Sequence, residues 1–484
     1  MAVRKRSWTR ASHDTEVVKH WKIVLVILAA CTGIAIYFCT WIFAGGWMIW
    51  WASGFAAGSK TAQYRPIIYA GWIFLFVCLG IDVYFVGKMI KTQGKGRYRF
   101  ANSSVIIMLV TGMVAFSEFG GFSIQTRNTP IVVLPGSNPS TKVTIDCYTP
   151  ASKANLVLEY HLNGSASMMQ AYDHGDGMSH RFTIDGLLPN STYAYHLATN
   201  TSGSQSVPDG MDQVRYFKTS PRNSTDGITF LSISDIHSSF NPELAARMAS
   251  EQADLVVEAG DFTEQGSDSG SWSEYFQTGD FLHVSNNASH PGPLLLPAIG
   301  NHDTMFFGRS NFGRYFGGVG TGPDSPYWYR VDVGDVHFIV LDVEWGLESF
   351  SSNQEAWLRQ SFASISPSDW TIVVTHCPIF SSGNNNGSVT GVAAKLVPMF
   401  KMANVKLVIS GHDHHYERIV QDNITYMITA TNYPDRSKHA QISGSQVYIV
   451  NQVMYGKYMI HGNTMTIQGI YVNGTITDVT TISK

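Results

Sequence analysis

The sequence predicts an α/β domain with a polar site at its strand tips, placed after an all-β sandwich and a membrane anchor of three helices. Three observations carry that expectation. Charged residues make up only 14% of the 484 positions while aromatics reach 12%, which points to membrane-embedded sequence in a chain long enough for about three domains. Residues 127–220 hold short β-branched and aromatic runs separated by Gly, Pro, Asn and Ser, the spacing of a sandwich. From Asp226 onward, apolar runs alternate with polar turns and helical stretches.

The anchor comes first. Residues 1–22 are basic, and no charged residue stands between Ile23 and Ser59. A membrane-spanning helix needs roughly 20 apolar residues, and such helices are predicted at about 23–43, 66–86 and 103–122. Trp41, Trp47, Trp50 and Trp51 suit an aromatic belt at the far end of the first. Six basic residues lie in the N-terminal tail and five in the second loop (Lys88, Lys91, Lys95, Arg97 and Arg99), against Lys60 and Arg65 in the first loop. By the positive-inside rule the N-terminus is cytoplasmic and everything after the third span is extracellular or lumenal. Eight N-x-[ST] sequons, at Asn163, Asn190, Asn200, Asn223, Asn287, Asn386, Asn423 and Asn473, all fall on that outer side. The organisation is thus an anchor over 1–125, a sandwich over 127–220 and an α/β domain over 226–484.

A net charge of −3 gives no electrostatic case for a nucleic-acid partner. The lipid bilayer is the expected macroscopic partner. The cysteines, Cys31, Cys39, Cys78, Cys147 and Cys377, have neither zinc-like nor C-x-x-C spacing, and no disulfide framework is expected.

In the α/β domain, Ile228–Ser234 reads as a buried strand ending in Asp235-Ile236-His237, and Pro242–Gln252 as the following helix. Asp254–Ala259 ends at Gly260-Asp261, and Leu294–Ile299 at Gly300-Asn301-His302-Asp303. Val336–Leu341 precedes a helix near Gln354–Ala363. Trp370–Val374 ends at Thr375-His376, and Leu407–Ile409 leads into Gly411-His412-Asp413-His414-His415-Tyr416-Glu417-Arg418. The strand-rich segment 424–484 is expected to complete a sheet. Five strands therefore deliver Asp235, His237, Asp261, Asn301, His302, Asp303, His376, His412 and His414 at their C-terminal ends, where open α/β sheets place their sites. Carboxylate, imidazole and amide donors together suit Zn, Fe or Mn. Nine groups exceed one tetrahedral ion, whereas two ions about 3.5–4 Å apart sharing a carboxylate use them economically and could clamp a phosphoryl group.

The order D-x-H, G-D, G-N-H-D, H and G-H-x-H is similar to the signature of calcineurin-like metallophosphoesterases. The sandwich together with Gly411–Arg418 resembles the purple acid phosphatase branch, and Gly186–Tyr195 resembles a turn of fibronectin type III domains. The resemblance covers about 127–484. It implies a four-layer αββα domain behind a fibronectin III-like sandwich, and hydrolysis of phosphate mono- or diesters by hydroxide attack between two ions. One ion would be held by Asp235, His237, Asp261 and His414, the other by Asp261, Asn301, His376 and His412. His302 would protonate the leaving group, with Asp303 orienting it. Purple phosphatases carry an Fe(III)-binding tyrosine three residues after the shared aspartate and lack the first-motif histidine. Here those positions are Glu264 and His237, which implies a colourless enzyme. Arg309 and Arg314 are candidate phosphate clamps. His415 is expected outside the ligand set. The rival reading is a catalytically silent cell-surface binding or adhesion protein that uses the sandwich.

Overall fold

The structure, a computed structural model, describes residues 84, 88, 91, 131–148, 156–175, 179–199, 212–283, 285, 287–305, 308–383, 390–429, 432–434 and 439–484. The expected spans at about 23–43 and 103–122 lie outside these residues, and of 66–86 only Tyr84 is described, in helical conformation. Among the described residues no helix is long and apolar enough to cross a membrane. Residues up to Phe119 form a unit separate from Gly120–Lys484. The latter unit carries the site.

Among the described residues it opens with seven strands: β1 (Val132–Pro135), β2 (Val143–Tyr148), β3 (Leu156–Leu162), β4 (Met169–Tyr172), β5 (Ser179–Ile184), β6 (Thr192–Thr199) and β7 (Arg215–Lys218). All pairings are antiparallel, in a three-stranded sheet β1-β2-β5 and a four-stranded sheet β4-β3-β6-β7. Period-two alternation drives this, as in β5, where His180, Phe182 and Ile184 turn inward and their neighbours outward.

The α/β part follows. Its strands are β8 (Ile228–Ile233), β9 (Leu255–Ala259), β10 (Leu294–Ala298), β11 (Thr321–Asp324), β12 (Trp328–Val333), β13 (Val336–Val340), β14 (Trp370–Val374), β15 (Leu407–Ser410), β16 (Tyr416–Gln421), β17 (Ile424–Ile428), β18 (Ser445–Ile449), β19 (Met454–His461), β20 (Thr464–Tyr471) and β21 (Ile476–Ser483). Its helices are α1 (Pro242–Ala249), α2 (Ser269–His283), α3 (Asn301–Thr304), α4 (Arg309–Phe316), α5 (Ser352–Ala363) and α6 (Thr390–Met402). One sheet runs β10-β9-β8-β19-β20-β21, the other β11-β12-β13-β14-β15-β17-β16-β18.

Within the first sheet β8, β9 and β10 are parallel and follow one another in one direction, so connections of one hand put α1 and α2 on one face, where they pack together. In the second sheet, Val336, Phe338 and Val340 of β13 point into the core between the sheets. Ile339 points the other way, into a cluster with Leu358 of α5 and Leu396 and Phe400 of α6. Phe230 joins the two sheets: it stacks on Tyr458 at 4.5 Å and meets Phe338 edge-on at 5.2 Å. The layers are therefore helix, sheet, sheet, helix.

Sandwich and α/β strands share one hydrophobic core that runs from Ile131 to Ile470. Polar contacts seal the junction. The Asp146 carboxylate pairs with Arg181 at 3.0 Å and accepts the Gly318 amide at 2.9 Å, and the Asp332 amide donates to Ser137 O at 2.9 Å.

Candidate metal centre

Each parallel strand that ends near the seam between the sheets releases its chain into a tight turn, and the turns carry the polar side chains. Six non-glycine residues there adopt left-handed backbone: Asp235 (φ 55°), His237 (48°), Ser238 (73°), Asp261 (56°), His412 (72°) and His414 (52°). Such conformations cost on the order of 1–3 kcal/mol each and persist where the surroundings over-determine them. The approach of the turns is close enough to exclude a side chain at Gly260, where a Cβ would lie 2.4 Å from His376 Nδ1.

The side chains gather into two cages. In one, His414 Nε2 lies 3.1 Å from His237 Nε2 and 3.4 Å from Asp235 Oδ1. In the other, Asn301 Oδ1 is 2.9 Å from both His376 Nε2 and His412 Nδ1, which are 3.2 Å apart. Asp261 Oδ2 faces both, at 3.4 Å from His376 Nε2 and 4.0 Å from His237 Nε2. Donors about 2.1 Å from one ion stand roughly 3.0–3.4 Å from each other, so the spacings fit a metal in each cage. Asp235 with His237 and His414, and Asp261 with His376 and His412, each bring their ligand atoms within 4.8 Å of one another, as do His237, Asp261 and His302. Asp235, Asp261 and His376 are essentially fully buried.

The far nitrogens are fixed by acceptors. His376 Nδ1 donates to Ala259 O and His414 Nδ1 to Tyr433 O, both at 2.8 Å, which leaves each Nε2 for the cage. His237 Nδ1 faces Glu264 Oε2 at 3.2 Å. Burial alone would lower the His376 pKa, yet the Asp261 carboxylate overrides it and the ring is pushed up to about 10. His412 is pushed down to about 4 by burial and by His376 beside it. In the other cage burial opposes the charge on His237 too, yet Glu264 beside it pushes that ring up to about 9, so in the metal-free protein a proton sits in each cage where a cation would.

Residues 228–416 match the family model of the calcineurin-like phosphoesterases. They are a calcineurin-like phosphoesterase domain. Relatives include an uncharacterized protein of Mycobacterium tuberculosis, 31% identical over 169 residues that make up 30% of each chain. The phosphoenolpyruvate phosphatase of Allium cepa is 23% identical over 310 residues (59% of this chain, 60% of the relative). Purple acid phosphatase 5 of Arabidopsis thaliana is 27% identical over 277 residues (55% and 61%). The chain covers less than two thirds of the length of each of these relatives.

Within the phosphoesterase domain two expectations need correction. Asp303 does not orient His302 through its carboxylate. That carboxylate accepts the amides of Gly300 (2.9 Å), Asp261 (3.0 Å) and Thr263 (3.1 Å), and so pins the turn that carries Asp261. Burial, with Asp261 adding to it, pushes the Asp303 carboxyl up to about 8. His302 Nδ1 instead donates to the Glu264 carbonyl at 2.8 Å, and burial pulls its pKa down. The Arg309 and Arg314 guanidiniums are not free either, since protein groups engage both. Arg309 binds Asp342 and Glu344 and stacks on the Tyr327 ring at 3.9 Å. Arg314 donates to Asn311 at 2.7 Å and lies over Tyr148 of the sandwich at 4.9 Å. Their own sequence neighbourhoods carry no sign of these distant acidic and aromatic partners.

Glu264 is the residue that sequence reasoning undervalued. Its side chain orients His237 and its carbonyl orients His302, and the one available signal was its departure from tyrosine. His415 lies outside the cages and is buried, donating from Nδ1 to Asp413 O at 2.8 Å and meeting Glu417 Oε2 at 3.1 Å through Nε2.

Proposed function

We propose that the chain hydrolyses phosphate esters at this centre with two transition-metal ions, drawn from Fe, Mn and Zn. The observation that carries the reading is Asp261 Oδ2, which faces both cages at once. Asp235, His237, Asp261 and His414 would hold one ion, and Asp261, Asn301, His376 and His412 the other. Bound there, the ions lower the pKa of water and neutralise charge on phosphoryl oxygens. The chain's own contribution is placement. The backbone amide of His302 donates to Asp261 Oδ1 at 2.8 Å, which leaves Oδ2 turned towards the cages. His302, oriented through Nδ1 by the Glu264 carbonyl, would pass a proton from Nε2 to the leaving oxygen when the ring is charged. A filled donor set favours this reading over the silent binding protein.

The test is turnover by the Mn²⁺- or Zn²⁺-loaded chain of para-nitrophenyl phosphate and of its bis-ester. Hydrolysis that disappears on chelation and in Asp261→Ala supports the proposal, and the ratio of the two rates ranks monoester against diester. A fully loaded chain inert to both esters overturns it. Glu264 in place of tyrosine further leads us to expect no visible charge-transfer band from an iron-loaded sample, which an absorption spectrum checks.

The same proposal includes a membrane anchor of three spans, a fibronectin III-like sandwich, and a catalytic domain on the extracellular or lumenal side. The lysine and arginine distribution supports the orientation. Five of the sequon asparagines, Asn163, Asn190, Asn287, Asn423 and Asn473, are exposed, as attached glycan requires. Protease protection in sealed vesicles, with a glycosidase mobility shift, tests it. Cleavage of the catalytic domain from the cytoplasmic side sinks the orientation.

A further inference from the structure

Two large aromatic side chains stand exposed beside the cages, and the phosphoryl chemistry uses neither. Trp345 is 47% exposed and Tyr433 is 43% exposed. Trp345 Nε1 donates to Thr304 Oγ1 at 3.3 Å, on the short helix that carries Asn301, His302 and Asp303. The preceding residue is anchored on the other side, where Glu344 O accepts from Cys377, next to His376, at 3.1 Å. Trp345 therefore spans the turns of His302 and His376. Tyr433 belongs to the other cage: its carbonyl holds His414, its ring centroid lies 6.0 Å from that of His237, and its hydroxyl donates to Ser239 O at 3.3 Å.

In both residues the polar handle is tied down by the site's own turns. A tethered ring is already ordered, so stacking a flat group on it costs little further entropy. Their position relative to His302 matters too, since the departing oxygen must lie near that imidazole and the rest of the leaving group beyond it.

Resting on the phosphoesterase reading, we propose that the esters of this site carry a planar aromatic leaving group, an aryl or nucleobase-bearing alcohol, stacked on Trp345, with Tyr433 bounding the cleft at the other cage. The hydrolysis is unchanged. A water oxygen bonds to phosphorus, the ester P–O bond breaks, and a proton passes to the departing oxygen.

The test compares benzyl phosphate with cyclohexylmethyl phosphate, which are close in size and differ in the ring, each as the ratio of variant to parent rate so that leaving-group basicity cancels, using the metal-loaded full chain. Base-on-aromatic stacking predicts that Trp345→Ala lowers kcat/KM for the benzyl ester about 10-fold, and for the cyclohexylmethyl ester less than about 2-fold. Trp345→Phe should restore most of the loss, and Tyr433→Ala should give a smaller selective loss. Adenosine 5′-monophosphate as a third substrate separates a nucleobase from a simple aryl source: a loss in Trp345→Ala with this ester points to the nucleobase. Equal losses for the two matched esters, or none for either, overturn the proposal. Equilibrium binding of benzylphosphonate against cyclohexylmethylphosphonate gives a readout that needs no turnover. A chain that hydrolyses neither ester yet binds the benzyl compound in a Trp345-dependent way keeps the aromatic wall and loses the hydrolase reading; indifferent binding removes the wall.

Discussion

The two cages use the same ligand chemistry and are supported differently. The Asn301–His376–His412 cage is locked from within: His376 is fully buried, its far nitrogen is held by a β9 carbonyl, and Asn301 touches both imidazoles. The Asp235–His237–His414 cage leans on side-chain and loop support, with His237 against Glu264 and His414, 15% exposed, against the Tyr433 carbonyl. The contrast teaches that preorganisation is graded across a single site. One cage is set by strand backbone, the other in part by the Glu264 side chain, which a single substitution can remove.

The sharpest way to break the comparison is to remove what both cages share. Asp261→Ala should abolish tight binding of both ions and lower turnover on the order of 10³-fold, read by metal analysis and initial rates. Glu264→Gln should act on one cage only. Weakening the His237 orienter is expected to cost about 10–100-fold in affinity for one ion while the second stays bound, as a two-site calorimetric titration would reveal. Equal weakening of both would erase the distinction.

Proton linkage sharpens the locked cage. The His376 imidazolium, held to Asp261, has a folded pKa raised from 6.5 to about 10. It therefore stabilises the metal-free protein fully below about 6.5, and that stabilisation is lost as pH rises through about 10. Tm of the chelated protein should fall across that window more steeply than that of the His376→Gln variant. The smallest effect concerns a residue outside both cages: Arg314→Ala should cost about 1 kcal/mol of stability, from loss of its stacking on Tyr148, with kcat/KM unchanged.

What the sequence shows of the site follows from how each part is encoded. Ligands must be particular side chains just after buried strands, so Asp235, Asp261, Asn301, His376 and His412 are visible as types in a pattern. Their orienters are largely main-chain carbonyls, of Ala259, Glu264 and Tyr433, which any residue supplies and no residue announces. The same limit applies to the fold. Helix α1 stops at Ala249, before Gln252, which adopts φ 51°, a turn that hydrophobic periodicity over Pro242–Gln252 does not reveal. That β19–β21 return to pair beside β8, rather than extending the sheet of β15–β18, is set by packing across the core, with Tyr458 stacked on Phe230. For Arg309 and Arg314 the sequence shows only guanidinium chemistry, while Asp342, Glu344 and Tyr148, which engage them, stand far away in the chain.

The seam location of the site has a mechanical meaning. Each cage draws ligands from both sheets: His414 of the second sheet meets Asp235 and His237 of the first, while Asn301 of the first meets His376 and His412 of the second. An ion in either cage would act as a rivet through two plates, resisting shear between them. Chelation would then loosen strand tips on both plates together, and amide exchange at β8 and β15 would accelerate in concert.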